Sequence, residues 1–78
     1  MDTLQLFSRK GCHLCDVMEE GLRRLSTQIT LSWQKIDVDL DPRLVALYGE
    51  HVPVLADGAG KEICRHRLDE AALKDALR

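Results

Sequence analysis

Two cysteines held two residues apart, Cys12-His13-Leu14-Cys15, constrain this chain more than any other feature. Ahead of them Leu4, Leu6 and Phe7 read as the end of a strand, and behind them Val17, Met18, Leu22 and Leu25 recur with Leu14 at helical spacing. Cys12 therefore falls where a strand hands over to a helix. A helix start carries unpaired backbone N–H groups and the positive end of the macrodipole, and both favour a thiolate over a thiol. Arg9, Lys10 and His13 add positive charge nearby, so the Cys12 pKa is expected below the free-thiol value of about 8.5. Cys15 follows one helical turn later on the same face, where its sulfur can close a small disulfide ring. The pair reads as a dithiol that is oxidised and reduced without unfolding the protein.

Composition narrows what such a pair can belong to. With 78 residues, the chain suffices for a single domain, 1–78, with a small core. A formal net charge of -2 gives no electrostatic case for nucleic acid. With 45% hydrophobic and 31% charged residues the chain reads as globular, not disordered. No apolar run is long enough to cross a bilayer, and Met1-Asp2-Thr3-Leu4 has an acid where a signal peptide wants basic residues. The expected place is the cytoplasm, with no membrane partner. Three cysteines are an odd count, which argues against a secreted disulfide framework. In a reducing compartment a C-x-x-C points to catalysis or metal binding, with Cys64 left over.

The remaining chain punctuates itself clearly. A strand is expected over Thr3 to Phe7, with Leu4 and Leu6 on one face and Phe7 on the other. A helix follows from Cys12 or His13 to Leu25, with Glu19, Glu20, Arg23 and Arg24 on its wet side. The apolar phase slips between Leu31, Trp33 and Ile36, which favours a second strand centred on Ser32 to Val38. Asp41 as N-cap, Pro42 at the first helical position and Gly49 just past the end bracket a short helix over Pro42 to Tyr48, with Leu44, Val45, Leu47 and Tyr48 as its buried side. Val52-Pro53-Val54-Leu55 reads as a strand, and Asp57-Gly58-Ala59-Gly60 as a hairpin turn into Lys61 to His66. Asp69 opens a last helix with Leu68, Ala72, Leu73, Ala76 and Leu77 on one side. The order β-α-β-α-β-β-α gives a four-stranded mixed sheet with helices on both faces, an α/β architecture. With C-x-x-C after the first strand, this is the layout of the thioredoxin fold.

Three runs carry a resemblance: Leu6 to Asp16 around the cysteines, Asp37 to Leu44, and Tyr48 to Leu55 with its Val52-Pro53. Together they resemble the small bacterial glutaredoxin-like proteins, a largely uncharacterised branch of the thioredoxin superfamily. The resemblance implies a thiol–disulfide oxidoreductase serving cell redox homeostasis, with Cys12 as nucleophile and Cys15 as the resolving cysteine. It implies that Pro53 has a cis peptide bond beside the disulfide, and that the Val52 backbone pairs with an extended substrate. Arg9 matches the basic residue that faces a glutathione carboxylate in glutaredoxins, and His66-Arg67 stands where they have a Gly-Gly pair, so Arg67 is a further candidate for binding a carboxylate. Implied partners are disulfide-containing proteins, with glutathione or a thioredoxin reductase as the reductant, no bound cofactor and a monomeric state.

Two other readings of the residues stay open. One is a metal or iron–sulfur carrier. A tetrahedral site, however, needs two ligands besides the C-x-x-C, and Cys64 and His66 are read as neighbours on one strand pointing the same way, so no metal ligand is assigned. The other is a thioredoxin-fold binding module without turnover. The series Asp37, Asp39, Asp41 lacks the glycine and terminal glutamate of a calcium loop and reads as helix capping.

Overall fold

The computed structural model describes residues 3–78. Leu4–Ser8 forms β1, His13–Leu25 α1, Trp33–Asp37 β2, Pro42–Tyr48 α2, Val54–Ala56 β3, Glu62–Arg65 β4 and Glu70–Ala76 α3. The four strands lie in the order β2-β1-β3-β4. β1 and β2 run parallel, joined across α1, while β3 is antiparallel to both β1 and β4. This is the mixed sheet expected from the order of elements.

Side-chain alternation along the central strands divides the core in two. Leu4 and Leu6 of β1 and Leu55 of β3 point to the face covered by Met18, Leu22 and Leu25 of α1 and Leu73 of α3. Phe7 of β1 and Val54 and Ala56 of β3 point the other way, against Leu44, Val45 and Tyr48 of α2. There the rings of Phe7 and Tyr48 stack with centroids 4.4 Å apart. Each edge strand is guarded by charge: Lys35 on β2 pairs with Glu19, and Arg65 on β4 forks onto Glu62.

The parallel register from Leu4↔Trp33 to Ser8↔Asp37 is unbroken. The apolar slip before β2 is therefore a strand that starts late. Ile29 and Leu31 pack under the α1 face from outside it. Beyond Asp37, a short 3-10 turn over Val38–Leu40 buries Val38 and leads into α2. The aspartates of this stretch work as caps: Asp37 Oδ1 accepts the Asp39 N–H at 3.0 Å and Asp41 Oδ1 the Arg43 N–H at 2.9 Å. At the hairpin, Asp57 Oδ1 accepts from both Ala59 and Lys61.

Several side chains sit elsewhere than periodicity suggests. α1 meets the sheet along Cys15, Met18, Leu22 and Leu25, leaving Leu14 44% and Val17 47% exposed on its flank. Leu47 of α2 is 61% exposed, because only one side of that short helix reaches the sheet. At the end of α3, Ala76 and Leu77 are likewise exposed. Glu19 leaves the wet side of α1, since its carboxylate accepts from Trp33 Nε1 at 3.2 Å and faces Lys35. His66 lies beyond β4 with φ 68, so it does not share a strand face with Cys64.

These placements carry two tests. Leu22→Ala, at a fully buried position, is expected to cost about 2–5 kcal/mol of the roughly 4–12 kcal/mol available to a domain this small. Leu14→Ala should cost less than about 1 kcal/mol, both read from urea unfolding. The second test concerns Glu19. Burial alone would push its pKa up, but hydrogen bonds from Trp33 and Lys35 and the charges of Lys35 and Arg23 outweigh that and bring it below its ordinary value of 4.5. Its stabilising share is present above pH 4.5 and lost as pH falls through the lowered folded value. Wild type should therefore lose more stability than Glu19→Gln on acidification through that window.

Candidate functional site

The topology gathers three segments at one end of the sheet. β1 delivers the chain to Cys12 at its C-terminal end, β3 begins just after Val52-Pro53, and β4 ends next to it, since Phe7 pairs with Val54 and Val54 with Arg65. The His66 N–H then donates to the Pro53 carbonyl at 2.8 Å, tying the β4–α3 loop to the proline. The Val52–Pro53 bond is cis, as the resemblance implies.

Gly11 makes the approach to the cysteines with φ 74, a left-handed conformation that a Cβ would strain. The chain then extends at Cys12, which is the N-cap of α1. Its Sγ accepts the Cys15 backbone N–H at 3.2 Å. That donor is one of the orphan N–H groups of the first helical turn, normally satisfied by an oxygen. Cys12 is partly exposed while Cys15 is 1% exposed, and the two sulfurs are at disulfide-bonding distance with Cα atoms 5.2 Å apart. The first cysteine is thus partly accessible and the second is buried. Such an arrangement can attack from outside and resolve from inside.

Of the basic residues near the pair, Lys10 and His13 are both exposed. Arg9 is engaged elsewhere. Its guanidinium forks onto Asp39, Nη2 to Oδ1 at 2.7 Å and Nε to Oδ2 at 3.1 Å, and Nη1 donates to the Gly49 carbonyl at 3.1 Å. These bonds strap the segment before the cysteines to the 3-10 turn and the end of α2. The hydrogen bond to Asp39 followed by its charge raises the Arg9 pKa, and the hydrogen bond from Arg9 lowers that of Asp39.

Val52 is half-buried and lies outside the β1–β3 ladder, and Pro53 is buried. Arg67 is exposed in the loop ahead of α3. Neighbouring His66 holds the left-handed conformation that glycine would adopt freely, at a cost of about 1 kcal/mol. Its ring lies 6.4 Å from that of His51. Sequence reading also passed over Asp16, the acidic residue in the first turn of α1 and an exposed carboxylate one turn from Cys12. Its signal was plain, an acid at position i+4 from the first cysteine.

Cys64 has a different character. It sits half-buried on β4 opposite Leu55, where burial pushes its thiol pKa up. It is thereby less available as a thiolate. Among the described residues no three His, Cys, Asp or Glu side chains gather to hold a metal ion, and no helix is long and apolar enough to cross a membrane.

Comparison with known proteins places this geometry. Residues 3–78 match a family described as Glutaredoxin-like domain (DUF836). An uncharacterized protein of Mycobacterium tuberculosis is 35% identical over 74 residues, spanning 83% of this chain and 76% of its own. The solution structure of a protein from Nitrosomonas europaea matches with a TM-score of 0.87 and 35% identity, over 99% of this chain and 92% of that one. A mutant thioredoxin from Halobacterium salinarum matches with a TM-score of 0.60 and 33% identity, over 97% of this chain and 71% of that one. The sheet is thus a thioredoxin fold, and with a family match running from the first described residue to the last, the chain belongs to the glutaredoxin-like domain family.

Proposed function

We propose that the protein is a thiol–disulfide oxidoreductase that reduces protein disulfides or glutathione mixed disulfides through Cys12 and Cys15. The observation that carries this reading is Cys12 at the N-cap of α1, partly exposed and with its sulfur accepting the Cys15 N–H, while Cys15 is buried. A thiolate there gains the hydrogen bond and the helix dipole together.

In the reaction, the Cys12 thiolate attacks one sulfur of a substrate disulfide. A Cys12–substrate mixed disulfide forms and the other substrate sulfur leaves as a thiolate, which takes up a proton from solvent. Cys15 loses its proton and attacks the Cys12 sulfur. The Cys12–Cys15 disulfide forms and the second substrate thiolate leaves, taking up a proton in place of the one Cys15 released to solvent. Two electrons and two protons have passed to the substrate. A thiol reductant returns them, and the two candidates are two molecules of glutathione or the dithiol of a thioredoxin reductase. The Val52 backbone, free of the β1–β3 ladder, is suited to pairing with an extended substrate beside the sulfur. Lys10, and His13 when protonated, contribute positive field at the helix start. Arg9 serves this site by holding the loop through Asp39 and Gly49, and its fork leaves it less suited to a glutathione carboxylate than the resemblance implies. Arg67, exposed beside His66, is the better-placed cation for such a group.

The decisive test is trapping. Reduced Cys15→Ser protein mixed with a disulfide substrate should accumulate a mixed disulfide on Cys12, visible by mass spectrometry, whereas Cys12→Ser should form none. Turnover supported by glutathione or by a thioredoxin reductase then identifies the reductant. Absence of any Cys12 adduct would contradict the reading. A further expectation concerns Asp16. Replacing this carboxylate with Asn should lower the Cys12 pKa and speed alkylation below that pKa on the order of two-fold, while costing about 0.3–1 kcal/mol of helix stability.

A further inference from the structure

A groove that the sulfur exchange itself leaves unused begins at Leu14, between the two cysteines in sequence. It lies between α1 and the β4–α3 loop and has a volume of about 580 Å³. Leu14 and Val17, 44% and 47% exposed, form its apolar wall, and Leu68 faces them across Gly21. Gly21 keeps the walls close together, since a Cβ on it would stand 2.9 Å from Leu68 Cδ2. The rim is charged: Arg24 and Arg67 are both exposed and form no ion pair among the described residues, with His66 next to Arg67 and Glu70 as the one acid. A cationic rim on a chain of net charge -2 is a local concentration of positive charge.

One end of the groove is set by Leu14, inside the C-x-x-C motif. Leu14 lies between Cys12 and Cys15 in sequence, and the opposite rim is tied to Pro53 through the His66 N–H. From Leu14 to Arg24 is about 15 Å along α1, the length of roughly four or five extended residues. A chain whose cysteine reaches Cys12 thus has room to lay its next residues along Leu14 and Val17 and end at Arg24.

We infer that this groove selects protein substrates, and that its occupant is the segment flanking the substrate's cysteine, with an apolar residue close to the sulfur and acidic side chains about four residues from it. The inference rests on the oxidoreductase reading and adds the substrate class. Apolar contacts to Leu14, Val17 and Leu68 supply binding, and Arg24 and Arg67 set the preference for negative charge.

The test uses the reduced wild-type protein and short peptides whose single cysteine is capped as a thionitrobenzoate mixed disulfide, so that attack by Cys12 releases colour. A peptide with leucine near the cysteine and two glutamates beyond it is compared with a lysine version, a serine-for-leucine version and a small uncharged disulfide. The acidic peptide should react about five-fold faster than the lysine one at low ionic strength, with the gap closing in high salt. Arg24→Glu should abolish or reverse that preference and Val17→Ser should erase the leucine advantage, each leaving the small disulfide unchanged. Equal rates for all peptides, with the small disulfide reduced normally, would overturn the groove assignment alone. Failure with the small disulfide as well would overturn the oxidoreductase reading and the groove with it.

Discussion

A sulfur stands where helices usually place an oxygen. Cys12 caps α1 by accepting the Cys15 N–H, so one hydrogen bond both starts the helix and touches the reactive atom. The coupling runs both ways. Negative charge on the sulfur strengthens the cap, and a well-formed helix start stabilises the charge. The rest of the site elaborates this contact. Gly11 turns the chain into it with a positive φ, and Cys15 is buried.

The fold holds that contact steady from both faces of a thin sheet. On one side, Met18, Leu22 and Leu25 press α1 onto Leu4, Leu6 and Leu55, fixing where the helix begins. On the other, Phe7 stacks on Tyr48, and Arg9 reaches across to Asp39 and the Gly49 carbonyl. The loop before Cys12 is therefore anchored to α2 as well as to β1. Burial supplies most of the stabilisation and the polar strap supplies the position. An exposed Arg–Asp pair is a weak source of stability, so its placement matters more than its energy.

Much of this was legible in the sequence wherever the signal was local. The helix Pro42–Tyr48 was bracketed by Asp41, Pro42 and Gly49, and the structure gives it the same bounds. Cys12 at the start of α1 followed from the change of hydrophobic period. What escaped depends on partners far along the chain. Arg9 meets Asp39 thirty residues away, and no spacing rule announces it. Periodicity gave α1 a broad apolar arc without saying that Cys15 and Met18 would meet the sheet while Leu14 and Val17 stayed in water. Glu19 looked like a wet-face residue because its Trp33 and Lys35 partners belong to another element. His66 extended an expected strand by one residue, and the left-handed turn that removes it from β4 leaves no mark in composition.

The measurement that bears most directly on the central contact is the rate of Cys12 alkylation against pH in reduced Cys64→Ser protein, with the modified residue identified by mass spectrometry. If the helix start charges the sulfur as the geometry requires, Cys12 reacts first and its rate follows an apparent pKa clearly below the free-thiol value of about 8.5. A Cys12 that titrates at or above that value would contradict the account, because the N-cap would then be holding a thiol and not a nucleophile.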